Sequence, residues 1–196
     1  MRRDQVSGYS LVELAFVAGL IVTLGGMAVP PMLAGLDDMR ARGATRYISA
    51  RLHRARADAV ARSADVAMRF TLTDGGYTYA VYADGNRNGV RTRDIERGID
   101  RLLGVAERLG DSFSGVDFGT IPGLPPVDPT GSAPGDDPIR LGRTGFVSFS
   151  AMGTATTGSL YIRSRRGAQY VVRIFGETGK TRVLRFNTRT KQWAPL

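Results

Sequence analysis

The fold is decided by residues 8–31, GYSLVELAFVAGLIVTLGGMAVPP, a stretch that is almost wholly apolar. A single acid, Glu13, stands near its beginning, and the 23 residues of 14–36 carry no charge. A helix of that length crosses a bilayer core of about 30 Å, because each residue adds about 1.5 Å. The sequence therefore predicts a transmembrane and assembly helix over residues 9–36.

Glu13 is the unusual residue of this run. An acid in a membrane segment costs about 2.5–3.5 kcal/mol on insertion scales, so its carboxylate needs a partner. A plain membrane anchor leaves that acid unexplained. Residues 1–8, MRRDQVSG, form a short basic leader, which is also the outline of a secretory signal peptide cleaved near Ala28 or Ala34. The acid and the length of the uncharged run weigh against that alternative.

Two further features of the apolar run predict a weak point in the helix. Gly25 and Gly26 each cost about 1 kcal/mol relative to alanine in a helix interior, and Pro30 costs about 3 kcal/mol. We therefore expect the helix to be kinked or locally weak there. The alternative is that the glycines let helices pack closely in lipid.

Composition limits the classes of function. The 196 residues include no Cys and one His, which argues against a disulfide framework, thiolate chemistry or a His-rich metal site. Motifs for a nucleophilic relay or a phosphate-binding loop are missing from the sequence, so we expect no enzyme activity and no cofactor. The net charge of +9 is concentrated in residues 140–196, which hold 11 Lys/Arg and one acid. A basic surface of this kind meets nucleic acid, anionic lipid or acidic protein.

The residues around Gly8 resemble a known motif. Gly8, Tyr9 and the following SLVEL are similar to the prepilin motif of type IV pilins and type II secretion pseudopilins. In that family a membrane peptidase cuts after the glycine and methylates the new N-terminus, which implies cleavage between Gly8 and Tyr9 and N-methylation of Tyr9. Counted from Tyr9, Glu13 is the fifth residue and Pro30 the twenty-second, where the family carries an acid and commonly a kinking proline. Glu13 would then pair with the N-terminal amine of a neighbouring subunit and set its register.

Residues 37–63 are predicted to continue as an amphipathic helix. Its apolar stripe, which should dock on a following sheet, consists of Ala44, Ile48, Leu52, Ala55 and Ala59. We expect the arginines and His53 to lie on the solvated faces rather than in a metal site.

From residue 64 to 196 the pattern indicates a β domain. Alternation predicts strands over 66–72 and 77–81, and strand-like runs bounded by turns predict further strands over 146–150, 159–164, 169–175 and 181–187. Weaker strands are expected over 99–105 and 116–121. Residues 122–138, PGLPPVDPTGSAPGDDP, are expected to form a loop with no contribution to the core. One long helix and an antiparallel sheet predict an α+β fold.

Parts of the amphipathic helix and of this domain resemble the GspH/FimT group, the H-type minor pseudopilins and their pilus relatives. The segments are LHRARADAVARSADV, FSAMGTATTGSLYIRS and RIFGETGKTRVLRFN. The group ends in a GRxR-like sequence, where this chain has Gly179-Lys180-Thr181-Arg182. The resemblance implies a type IV pilin-like fold with a GspH-like β domain over residues 64–196.

One loop invites a calcium interpretation. Asp84, Asn86 and Asn88 fit the first three ligand positions of an EF-hand-like loop, but Ile95 occupies the twelfth, where a bidentate acid is needed. We therefore favour a structural turn and expect no metal.

The resemblance implies a minor pseudopilin of a type II secretion system that is built into the periplasmic pseudopilus and assists protein secretion. It would be a single-pass protein of the bacterial inner membrane with its C-terminal domain in the periplasm. Its partners would be other pilins or pseudopilins, the prepilin peptidase and secreted cargo.

The alternative is a FimT-like minor type IV pilin that takes part in pilus assembly and DNA uptake. The candidate DNA-binding residues are Arg163, Arg165, Arg166, Lys180 and Arg182. The sequence does not choose between the two systems.

Overall fold

The computed structural model describes residues 9–142 and 144–196 of the chain. It opens with helix α1 (Leu11–Arg62), which is 52 residues long. The chain divides into two compact units, of which the first ends at Leu36 and the second covers Asp37–Leu196. The predicted leader, residues 1–8, lies outside the described residues.

The part of α1 in the first unit exposes apolar side chains along its length. Its most apolar window has a mean hydropathy of 2.1 and none of its residues is buried. Among the described residues, α1 is the one helix long and apolar enough to cross a membrane, a test that a signal sequence near the N-terminus also passes. An exposed apolar surface of this extent indicates an apolar environment, such as lipid or other helices.

Helix α1 continues through Pro30 and Pro31. Neither proline has an N–H group, so the carbonyl oxygens of Gly26 and Met27 have no donor four residues on. The predicted weakness, which rests on Gly25 and Gly26 as well as on the proline, stays a prediction.

Two antiparallel sheets follow α1 in the second unit. The first has the order β3-β2-β1-β7 with β4 also paired to β2, and the second has the order β11-β10-β9-β8-β5 with β6 also paired to β8. Two short helices, α2 (Thr92–Glu96) and α3 (Leu109–Ser112), lie in the connections. The strands are β1 (Val66–Thr73), β2 (Gly76–Ala83), β3 (Arg101–Leu102), β4 (Glu107–Arg108), β5 (Val116–Phe118), β6 (Ile139–Arg140), β7 (Phe146–Phe149), β8 (Gly158–Ser164), β9 (Gln169–Ile174), β10 (Thr181–Asn187) and β11 (Gln192–Pro195). The predicted α+β class is confirmed.

The main core of the second unit lies where α1 packs on both sheets. All five residues of the predicted apolar stripe are at most 1 % exposed, and Ala41 extends the stripe by one turn. They pack with side chains of both sheets, including Met68 of β1 and Tyr170 of β9. The small alanines let the helix approach closely, and the larger Ile48 and Leu52 side chains are fully buried in the same core.

Each sheet also has a covered outer face. Val90 and Ile95 pack on Ala67 and Phe146 of the first sheet. On the second sheet, Leu124 packs with a cluster whose other members include Tyr161, Val171, Leu184 and Phe186.

Our expectation for residues 122–138 was therefore wrong in one respect. Leu124 is only 4 % exposed, and the Trp193 indole donates a hydrogen bond to the Pro125 carbonyl oxygen at 3.1 Å. Asp128 forms an ion pair with Arg173 at 2.6 Å. The segment lacks regular strands over most of its length, but it covers the outer face of the second sheet.

Candidate functional site

Two residues of the prepilin-like motif fall within the described part of the chain. Tyr9 lies just before α1 with 85 % of its surface exposed, and Glu13 lies in the first turn of α1. An acid in a first turn is favoured by the positive end of the helix dipole. None of the ion pairs among the described residues involves Glu13. Its carboxylate is thus exposed at the start of an apolar helix, whereas Gly8 lies outside the described residues.

Gly25 and Gly26 lie on the same exposed part of α1. A methyl group added to either glycine would meet no heavy atom within 4 Å, apart from neighbouring residues of the helix itself. The faces of α1 that carry these glycines would therefore allow close approach by a neighbouring helix.

A partly buried polar cluster fixes α1 to the first sheet. The Glu107 carboxylate accepts hydrogen bonds from Tyr47 at 2.6 Å and Tyr79 at 3.1 Å, and it pairs with Arg51 at 2.5 Å. Burial and, secondarily, the Glu107 charge raise the pKa of the Tyr79 hydroxyl far above its ordinary value. This cluster clamps α1 to the first sheet through three contacts to one carboxylate.

A second polar cluster joins the beginning of the second unit to the second sheet. Asp38 accepts a hydrogen bond from the Tyr170 hydroxyl at 2.9 Å and pairs with Arg185 at 3.0 Å. Burial, followed by the hydrogen bond to Asp38, raises the pKa of Tyr170 to about 12. The neighbouring Asp37 accepts a hydrogen bond from the Arg166 backbone N–H at 3.3 Å. We call this end of the second unit the Asp38 end.

The other end of the second unit is marked by Arg56. Its guanidinium donates to the Gly153 carbonyl oxygen at 2.9 Å. Gly179 adopts a φ of 61°, and a side chain there would collide with that same carbonyl oxygen and with Arg56. We call this the Arg56 end. At about 1.5 Å per residue, Asp38 and Arg56 are about 27 Å apart along α1.

The five candidate DNA-binding residues are all exposed, but they do not form one cluster. Arg165 and Arg166 lie in the β8–β9 turn at the Asp38 end. Lys180 and Arg182 lie at the beginning of β10, which contacts α1 at Ser49 and His53 through Thr181. Arg163 lies on β8 and donates to the Thr120 carbonyl oxygen at 3.1 Å. The sequence thus identified the charges without identifying how they are distributed in space.

The structure gives the loop at Asp84 a structural role. One oxygen of the buried Asp84 carboxylate accepts backbone N–H bonds from Asn86 and Arg87, and the other accepts one from Gly89 at 2.7 Å. The Asn88 amide donates to Asp94 at 3.0 Å. Within residues 9–142 and 144–196, no group of three or more His, Cys, Asp or Glu side chains is arranged to hold a metal. The carboxylate oxygens satisfy the loop's own donors, as a structural turn requires.

One surface depression is lined by several basic residues. The sequence did not predict that these residues lie close together. The depression has a volume of about 580 Å³ and lies at the Asp38 end, where Arg42, Arg185 and Arg189 surround Asp38 and Tyr170. These arginines come from α1, from β10 and from the β10–β11 turn. Their proximity depends on how α1 packs on the second sheet, which sequence spacing does not show, since 143 positions separate Arg42 from Arg185.

Comparison with known proteins adds no family assignment. No protein-family model, no curated protein and no solved structure matches this chain. Functional inference therefore rests on the residues and on their arrangement.

Proposed function

We propose that this chain is a pilin-like subunit, cleaved after Gly8, anchored in the bacterial inner membrane by α1 and assembled into a filament. In the first form of the proposal it is a minor pseudopilin of a type II secretion system. Its periplasmic domain would contact other subunits or secreted cargo, so its work would be mechanical and interfacial.

The observation that carries the proposal is the combination of an exposed apolar helix with one acid at its start. Burial of apolar surface is worth about 25 cal/mol per Å², so the first part of α1 gains strongly from lipid or from the helices of other subunits. The Glu13 carboxylate, in contrast, is costly to place in lipid. A cationic partner inside a helix bundle would remove that cost. An N-terminal amine on Tyr9 of a neighbouring subunit would supply such a partner.

The second part of α1 supports the same proposal. Its stripe of buried alanines packs the helix on the β sheets, while the first part carries a run of exposed apolar side chains. Such a helix suits a filament subunit, because one part can join the filament while the other part holds the folded domain.

Substitution of Glu13 tests the assembly role. Glu13→Ala should still be cleaved after Gly8 but should be lost from the sheared filament fraction when it is expressed with the other subunits of its host. Glu96→Ala removes an exposed acid from α2 and should assemble normally. Normal assembly of Glu13→Ala would contradict the role assigned to the carboxylate.

A second candidate function is DNA capture by a minor type IV pilin. The observation in its favour is that Lys180 and Arg182 are exposed and take part in none of the ion pairs among the described residues. A cationic surface of this kind binds the phosphate backbone, and its affinity falls linearly with the logarithm of salt concentration.

A salt-titrated DNA shift assay on residues 37–196 separates the two functions. Salt-sensitive binding that is lost on replacing Arg163, Lys180 and Arg182 with glutamine would favour DNA capture. Replacement of Arg87, Arg91 and Arg93 with glutamine removes equal charge from another exposed part of the domain and serves as the control. Absence of binding at low salt would exclude DNA capture.

A further inference from the structure

The depression at the Asp38 end carries unbalanced positive charge. Asp38 is paired with Arg185 at 3.0 Å, so its negative charge is compensated within the depression. Arg42 and Arg189 are exposed and belong to none of the ion pairs found in residues 9–142 and 144–196. Two guanidinium groups therefore face solvent beside a compensated carboxylate.

The direction of β10 shows how far this basic region extends. Thr181 at its beginning bonds to Ser49 and His53, whereas Arg185 pairs with Asp38. The strand thus runs along α1 toward the earlier residues of the helix. The β10–β11 turn therefore follows Arg185 at the Asp38 end of the second unit.

A second basic turn lies at the same end. The Arg166 backbone bonds to Asp37, so the β8–β9 turn is held beside the first residue of the second unit. The exposed basic residues gathered at the Asp38 end, including those next to Asp38 on α1, are Arg40, Arg42, Arg165, Arg166, Arg185, Arg189 and Lys191.

The Asp38 end comes immediately after the predicted membrane segment in the chain. Asp37 directly follows the uncharged run of residues 14–36. If that run lies in a bilayer, the lipid head groups begin where the second unit begins. The basic residues are then tethered to the membrane surface at a high effective concentration.

We propose that the Asp38 end binds the phosphate head groups of anionic lipids in the bilayer that holds α1. Guanidinium groups match phosphate oxygens in pairs, and a cluster of basic residues beside a membrane helix is attracted to an anionic leaflet. DNA offers the same phosphate chemistry, but lipid is favoured because the chain itself places lipid next to this end. The inference rests on the membrane anchoring in the proposed function.

The absence of Cys makes a direct test available. Thr188→Cys, in the exposed β10–β11 turn, accepts a fluorescent dye, and the full chain is then incorporated into lipid nanodiscs that contain a head-group quencher. We compare phosphatidylcholine discs with discs of equal parts phosphatidylcholine and phosphatidylglycerol. Quenching should be stronger in the anionic discs and should weaken with added salt. A dye at Thr178→Cys, in the β9–β10 turn, should respond much less.

Matched charge removals make the test specific. Arg42→Gln with Arg189→Gln should weaken the phosphatidylglycerol-dependent association about fivefold for each arginine. Lys180→Gln with Arg182→Gln removes the same charge at the other end and should leave it unchanged. Both pairs are exposed, so both variants should fold.

Three results would overturn the inference: equal quenching in the two kinds of disc, equal loss in the two variants, or displacement of the turn from anionic discs by duplex DNA that binds the arginine depression. Failure of the chain to enter any disc is a different result, because it would refute membrane anchoring itself. Entry into discs without lipid-dependent quenching would refute only the head-group site.

Discussion

Removal of the Glu107 carboxylate should loosen the hold of α1 on the first sheet. This carboxylate is the shared acceptor for Tyr47, Tyr79 and Arg51, at distances of 2.6, 3.1 and 2.5 Å. In Glu107→Ala all three donors lose their partner at once. Tyr79 is 2 % exposed, so its hydroxyl in particular is left with poor access to water.

The magnitude follows from the burial of the partners. Hydrogen bonds to charged groups contribute about 1.5–3 kcal/mol each when they are buried. The Arg51 and Glu107 side chains are each 23 % exposed, so solvent screens part of the ion pair. We expect Glu107→Ala to lower the free energy of unfolding by about 3 kcal/mol in total. Glu107→Gln keeps an acceptor and should cost about 1 kcal/mol.

Thermal unfolding of residues 37–196 measures this effect. At about 2–4 °C per kcal/mol for a domain of this size, Glu107→Ala should lower Tm by about 6–12 °C. Glu96→Ala, which removes an exposed acid from α2, should change Tm by less than about 2 °C. A Tm for Glu107→Ala equal to that of Glu96→Ala would refute the view that the cluster clamps α1.

Three other outcomes follow from the same structure. Leu124→Ala should cost about 2 kcal/mol in urea unfolding, whereas Leu72→Ala, at a residue 67 % exposed, should cost almost nothing; equal costs would mean that residues 121–127 do not cover the second sheet. The raised pKa of Tyr170 keeps its hydroxyl protonated in the folded state, whereas the same hydroxyl in the unfolded chain ionises near pH 10. The stability conferred by this tyrosine is therefore complete below about pH 10 and declines above it. The stability gap between the wild type and Tyr170→Phe should therefore narrow from pH 10 to pH 12, and a constant gap would contradict the assigned shift. An alkaline phosphatase fused after Leu196 should be active outside the cytoplasm, and activity only on lysis would refute the proposed topology. The test is demanding, because the arginines that follow the apolar run would by themselves favour the opposite orientation.

The sequence predicted the helix and most long strands because both rest on local periodicity. The alanine stripe repeats at helical spacing, and the long strands are short runs rich in β-branched and aromatic residues. Strand β10 alternates between buried and more exposed positions, whereas β8 and β9 are buried on both faces. Such local patterns can be recognised in the sequence without knowing which strands pair. The predicted strand over residues 99–105 shrank to β3, because only Arg101 and Leu102 reach β2 in register.

Long-range packing is what the sequence did not show. Residues 122–138 have a loop composition, yet Leu124 finds an apolar surface made by strands more than 30 positions later in the chain. Strand β11 was not predicted, because its short sequence shows no alternation of apolar and polar residues. It is ordered as a strand by its pairing with β10. The distribution of basic residues between the Asp38 end and the Arg56 end also depends on register, so neither end could be identified from sequence spacing alone.

The central claim, that the chain is a processed pilin-like subunit, is tested most directly by its mature N-terminus. The full-length chain is expressed with a prepilin peptidase, purified from membranes and measured by intact-mass spectrometry with N-terminal sequencing. We predict a protein that begins at Tyr9 and is one methyl group heavier than residues 9–196. A chain that still begins at Met1, or one cleaved near Ala28 or Ala34 by a signal peptidase, would contradict the account.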